Sequence, residues 1–210
     1  MDIRQQLRQR LGRKNSDAVL ATVLEQPELL VELLDFFFSN ELEGITMAAM
    51  TVGNLARVKP AWLQPYQHNF YEVSLHPLHT SVRRAAIRYF GELPVLVNDD
   101  FIPPNWIKKK DFLYLHRCQV DPEQQGWVEE ELEGQLLDHS IALVNKVDEP
   151  AANRVFALLL ARNLSFKYPE IAVELSEAIR STLSSGTRGY QNAGGKTLNL
   201  LERLMEYYGL

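Results

Sequence analysis

Apolar residues recur at helical spacing along most of this chain, and the helices they mark come in pairs. Ile3, Leu7 and Leu11 stand at i, i+4 and i+8, which predicts a short amphipathic helix over 2–12. Asn15 or Ser16 caps a helix over 17–25. Pro27 opens the next, which runs to Ser39 and carries Leu29, Leu30, Leu33, Leu34, Phe36, Phe37 and Phe38. Its polar stripe is acidic: Glu28, Glu32 and Asp35. Asn40 and Glu43 form a cap pair for a helix over 42–57, in which Ala48, Ala49 and Gly53 permit close packing. Pro60 starts a helix reaching 75, with Pro65 inside it predicting a late start or a kink. A helix over 79–92 follows, with Val82, Ala86, Phe90 and Leu93 along one face.

The rhythm fails between 94 and 126. Pro94, Asn98-Asp99-Asp100, Pro103-Pro104 and Asp121-Pro122 are turn chemistry. Trp106–Cys118 reads as one helix between them. The aromatic content (Phe101, Trp106, Phe112, Tyr114) is too high for a disordered tether, so the segment reads as an insertion. Helices then resume over Gly134–Val147, Ala151–Phe166 and 170–184, with a fourth beyond Gly186-Thr187-Arg188-Gly189. No segment alternates apolar and polar over six residues between turn signals, and essentially no sheet is expected.

The helix pairs repeat. Leu55 lies 38 residues before Leu93, and Leu164 lies 40 before Leu204. A two-helix unit near that period is the mark of an α-solenoid, because a lone helical hairpin cannot bury both its faces. Ser81-Val82-Arg83-Arg84-Ala85-Ala86, and more loosely Asp148-Glu149-Pro150-Ala151-Ala152-Asn153-Arg154-Val155, resemble the intra-repeat turn and second-helix start of HEAT repeats. The stretch from Glu133-Gly134 through Tyr168-Pro169-Glu170 to Gly189-Tyr190 is similar to small bacterial HEAT-like proteins of unknown function, some labelled adenylosuccinate lyase. The signature loop of that lyase is not visible in this chain. The resemblance covers about 15–95 and 127–208. It implies an all-α fold, an α-α superhelix (HEAT/ARM-like solenoid) of about four to five hairpins. The whole, 1–210, reads as a single domain with an irregular insertion over 96–126.

Composition adds exclusions. The 210 residues are 46% hydrophobic and 23% charged with a net charge of −5. Those proportions are ordinary for a globular chain, and the charge disfavours nucleic acid and anionic membranes. No apolar run approaches the roughly 20 residues needed to span a bilayer. The N-terminus has no signal-peptide h-region, and the single cysteine, Cys118, cannot form an internal disulfide. A cytoplasmic setting is expected.

No catalytic or cofactor motif stands out, and no cofactor or metal is expected. Gly194-Gly195-Lys196-Thr197 lacks the first glycine of a phosphate-binding loop, since Tyr190 occupies that place. A helix C-cap followed by a helix start accounts better for these glycines. His76, His79, His116 and Cys118 do not make up a zinc ligand set. Cys118 reads as a small buried or half-buried hydrophobe. Glu129, Glu130, Glu131 and Glu133 read as a solvated run facing Lys108–Lys110.

Two candidate binding surfaces remain. The resemblance implies that second helices line a concave face, which would gather Arg83, Arg84, Arg88, Arg154, Arg162, Arg188 and Lys196 into a basic groove. The insertion sets Trp106 beside Lys108, Lys109 and Lys110, the composition of an interface hot spot. The leading expectation is a non-catalytic scaffold for a protein or peptide partner. The alternatives are a DNA-binding protein like the HEAT-like glycosylases of alkylated bases, and the labelled lyase.

Overall fold

The periodic stretches become helices in a computed structural model that describes residues 2–9, 11–39, 43–77 and 79–210. In chain order these are α1 (Ile3–Leu7), α2 (Arg13–Glu25), α3 (Leu29–Phe38), α4 (Ile45–Val58), α5 (Gln67–Leu75), α6 (Thr80–Glu92), α7 (Glu130–Asn145), α8 (Ala151–Lys167), α9 (Ile171–Leu183) and α10 (Arg188–Tyr208). A 3-10 helix over Pro60–Tyr66 precedes α5, so of the two outcomes expected from Pro65 the late start holds: the α-helix begins only at Gln67. The chain divides into two compact units, residues 1–89 and 90–210.

In the first unit, α1 buries Ile3 and Leu7 and packs on α2 and α3, while Leu11 stays exposed. Its arginines pair locally, Arg4 with Glu32 at 3.5 Å and Arg8 with Glu43 at 3.9 Å, so α1 is a capping helix. α2 starts earlier than expected. Ser16 is buried inside it, within hydrogen-bond distance of Thr51 and Asn54 of α4. The expected cap at Asn40 lies outside the described residues. Phe70 of α5 touches Phe37 and Phe38 of α3 and Tyr89 of α6, with ring centroids 4.7 to 5.5 Å apart. Aromatic burial of this kind is the main apolar contribution of such a core.

The second unit is built from two hairpins, α7/α8 and α9/α10. α7 packs on α9 and α8 on α10. Gly194 allows the second hairpin to close, since a Cβ there would lie 2.7 Å from Leu183 Cδ1. The glycines after 186 do not separate two helices as a C-cap and a start: Thr187 caps α10, and Gly189, Gly194 and Gly195 lie within it.

The segment 94–128 departs from expectation. Trp106–Cys118 is not a helix. Val95–Val97 (β1) pairs in parallel with Tyr114–His116 (β2), Val95 opposite Tyr114, and Val128 bridges to Val95. Pro94 supplies the extended start, and Phe112-Leu113-Tyr114-Leu115 carries no helical polar face. β1 is buried throughout and packs on α8.

Candidate functional site

The antiparallel α7/α8 hairpin brings the start of α7 against the end of α8. Glu133, 1% exposed, accepts hydrogen bonds from Lys167 Nζ at 2.7 and 2.9 Å and from the Tyr168 hydroxyl at 2.6 Å. Glu130 bonds Arg117 at 2.6 Å through each oxygen and Lys167 at 3.2 Å. The glutamates therefore do not form one solvated run facing Lys108–Lys110. The acidic first turn of α7 suits the helix dipole, and two of its members close the hairpin.

These environments move the titrations in different directions. Burial raises the Glu133 carboxyl above its usual range, opposed by Lys167 and Tyr168. Burial disfavours the Lys167 ammonium, but the Glu133 and Glu130 carboxylates outweigh it and the net shift is upward. Glu130 is more exposed; burial pushes it up, and Arg117 and Lys167 bring it below its usual value. Burial and the Glu133 carboxylate raise the Tyr168 hydroxyl. The phenol stays protonated and donates.

The C-terminal ends of β1 and β2 lie in the same unit. Asp99 accepts the Cys118 backbone N–H at 2.9 Å, which holds its carboxyl low, and Asp99 pushes the Cys118 thiol up. Cys118 is exposed, contrary to expectation, because this turn carries it outward. It is not set up as a thiolate nucleophile. His116 Nδ1 lies 3.0 Å from the Asn98 carbonyl oxygen. A carbonyl only accepts, so Nδ1 carries the proton.

Aromatic packing anchors the segment. Phe112 is fully buried, 5.0 Å from Phe166 of α8 and 4.9 Å from Tyr114. Trp106 is half-buried, 6.4 Å from Phe166, with the Arg203 guanidinium 4.3 Å from its ring centre. Beside these anchors Ile102 is 84% exposed, and Lys108, Lys109 and Lys110 are all exposed. None of the three lysines makes an ion pair among the described residues. A pocket of about 390 Å³ is lined by Pro103, Ile107, Lys108, Lys109, Tyr114, His116 and Gln119.

The arginines expected to line a groove are placed otherwise. Arg154 is 2% exposed; it donates to the Val144 carbonyl at 2.9 and 3.2 Å and lies 3.9 Å over the Tyr190 ring. Arg83 donates to the Ser74 and Leu75 carbonyls at 2.8 and 3.0 Å, closing the end of α5. Each reaches from the start of one helix to the last turn of the helix before, satisfying carbonyls that a helix end leaves open. Arg162 is partly buried, and desolvation lowers its pKa. Arg84 and Arg88 belong to the first unit, exposed and half-buried respectively, and Arg188 is exposed at the start of α10.

Of the expected binding residues, the structure brings Lys108 and Lys109 to one pocket, while Trp106 and Lys110 lie outside its lining. Sequence reasoning missed Tyr114, His116 and Gln119, because a helix over 106–118 would have scattered them. It also missed the Glu133–Lys167–Tyr168 cluster. The turn at Asp148–Pro150 held the signal, since a hairpin folded there sets residues near 133 against residues near 167.

No family model, curated protein or solved structure matches the chain. Among the described residues, no helix is long and apolar enough to cross a membrane.

Proposed function

We propose that this chain is a non-catalytic, HEAT-like docking scaffold whose loop face, residues 101–119, receives an acidic, partly apolar segment of a protein partner. One contrast carries the reading. Phe112 and Trp106 root the segment in the unit, while Ile102 and three consecutive lysines next to them stay exposed with no ion pair among the described residues. In a protein of net charge −5, that puts three consecutive exposed ammoniums and an exposed aliphatic side chain on one segment. It complements acidic side chains around an aliphatic anchor.

The repeat reading has separate support. α7 stacks on α9 and α8 on α10, as successive hairpins of a solenoid do. Arg83 and Arg154, at matching places in the two HEAT-like motifs, make the same kind of bond to the preceding helix. Buried Arg154 has no surface to offer a DNA phosphate, and no observation in the site favours duplex DNA. The exposed thiol of Cys118 suits a reducing, cytoplasmic compartment.

A displayed-peptide selection tests the proposal. The expected result is enrichment of sequences with Asp or Glu flanking Leu, Ile or Val. Their binding should be lost in the Ile102→Asp, Lys108→Glu, Lys109→Glu variant, with its circular dichroism unchanged. No enrichment, or equal binding by that variant, would overturn it.

A further inference from the structure

The pocket beside the exposed lysines has an unusual donor set. Its charged lining is cationic, Lys108 and Lys109, with no carboxylate. Neither ammonium, nor the Tyr114 hydroxyl, nor the Gln119 amide, has a side-chain hydrogen-bond partner among the described residues. Four other cations of this unit have partners: Arg117 and Lys167 in glutamates, Arg180 in Glu202 at 2.9 Å, and Arg154 in a carbonyl and a ring. Asp99, the acid that interacts with His116, is bonded to the Cys118 N–H.

The geometry points to a phosphate subsite: the pocket lined by Lys108, Lys109, Tyr114, His116 and Gln119 takes a phosphorylated side chain of the docked segment. The inference rests on the docking reading and names the group recognised. A phosphomonoester carries about −1.5 to −2 charges and three acceptor oxygens at neutral pH. Two ammoniums balance that charge, and the phenol and amide supply neutral donors to the remaining oxygens. A carboxylate brings one charge and would leave an ammonium uncompensated. Pro103 and Ile107 offer apolar wall to the methylene that carries the phosphate. The volume of about 390 Å³ falls in the range of sites for small ligands, about 300–1,000 Å³.

Lys110 supplies an internal control. It is exposed and next in sequence, yet it does not line the pocket. Diffuse attraction would draw on all three lysines alike, whereas a built subsite depends on Lys108 and Lys109.

The test is an amide NMR titration of the full chain with inorganic phosphate at constant ionic strength, repeated with a phosphoserine peptide and its glutamate counterpart. Saturable shifts at Lys108, Lys109, His116 and Gln119 are expected, with a dissociation constant on the order of 1 mM for inorganic phosphate. Binding should weaken at least about tenfold in Lys108→Ala, Lys109→Ala and persist in Lys110→Ala. The phosphoserine peptide should bind at least about tenfold more tightly than the glutamate one. Shifts that do not saturate, equal loss in the Lys110 variant, or equal affinity for the two peptides would overturn the subsite. If acidic peptides dock here while phosphate does not bind, the subsite falls and the docking reading stands. If inorganic phosphate binds as described and no peptide docks, the phosphorylated-segment inference falls with the docking reading.

Discussion

The guanidinium of Arg203, on the last helix, lies 4.3 Å from the centre of the Trp106 ring, in the segment between β1 and β2. Trp106 also leans on Phe166 of α8. The ring, two residues before the three exposed lysines in sequence, is therefore a root of the loop rather than a free hot-spot residue. Trp106→Ala should destabilise the unit by about 2 kcal/mol through lost packing. Arg203→Ala should cost about 0.5–1 kcal/mol, and a double-mutant cycle should return most of that as coupling. Denaturant unfolding of the four proteins measures it; additive effects would deny the contact an energetic role.

Glu133, Lys167 and Tyr168 fasten the open end of the α7/α8 hairpin. Glu133→Ala leaves a largely buried ammonium short of its nearest partner and should cost about 3 kcal/mol. Lys167 and Tyr168 are both raised above their usual values of 10.5 and 10.0. A group raised by folding contributes stability that is fully present below its unfolded pKa and is lost as pH rises through its folded one. The Tm of the wild type should thus fall as pH rises past 10.5, more steeply than that of Lys167→Met, Tyr168→Phe. Parallel curves would contradict the cluster's part in stability.

Asn163 of α8 is 0% exposed, and neither its Nδ2 nor its Oδ1 has a hydrogen-bond partner among the described residues. An unmet amide in such a place costs stability that an apolar residue of like volume recovers. Asn163→Leu should raise stability by about 1 kcal/mol. A lower melting temperature would mean that the amide is satisfied in solution.

Arg154 and Arg83 make the same kind of bond from unequal burial. Arg154→Met should cost about 2 kcal/mol, since it removes charge-assisted bonds to a carbonyl in the core. Arg83→Met, at a half-buried position, should cost about 1 kcal/mol. Lysine should rescue neither fully, because it lacks the planar fork. Thermal unfolding of the four variants decides it.

What the sequence made legible followed helical period. Ala151–Phe166 and 170–184 each fall within a residue of α8 and α9 at both ends, because long apolar faces and Pro or Gly punctuation define them twice over. The strands escaped notice for the opposite reason. Val95–Val97 is three residues long and buried throughout, so it shows no alternation. Its partner is 19 residues away, set by tertiary pairing rather than local preference. The lysines of the site could be picked out by composition. Tyr114, His116 and Gln119 could not, since the fold of the loop alone brings them to the same pocket.

The central claim is that residues 101–119 form the docking face. Hydrogen exchange of the chain with and without a selected acidic peptide tests it most directly. Protection concentrated in 101–119, and absent from Arg84 and Arg88 of α6, is the predicted result. Protection along α6, α8 or α10 with 101–119 unchanged would contradict it and return the interaction to the second-helix face.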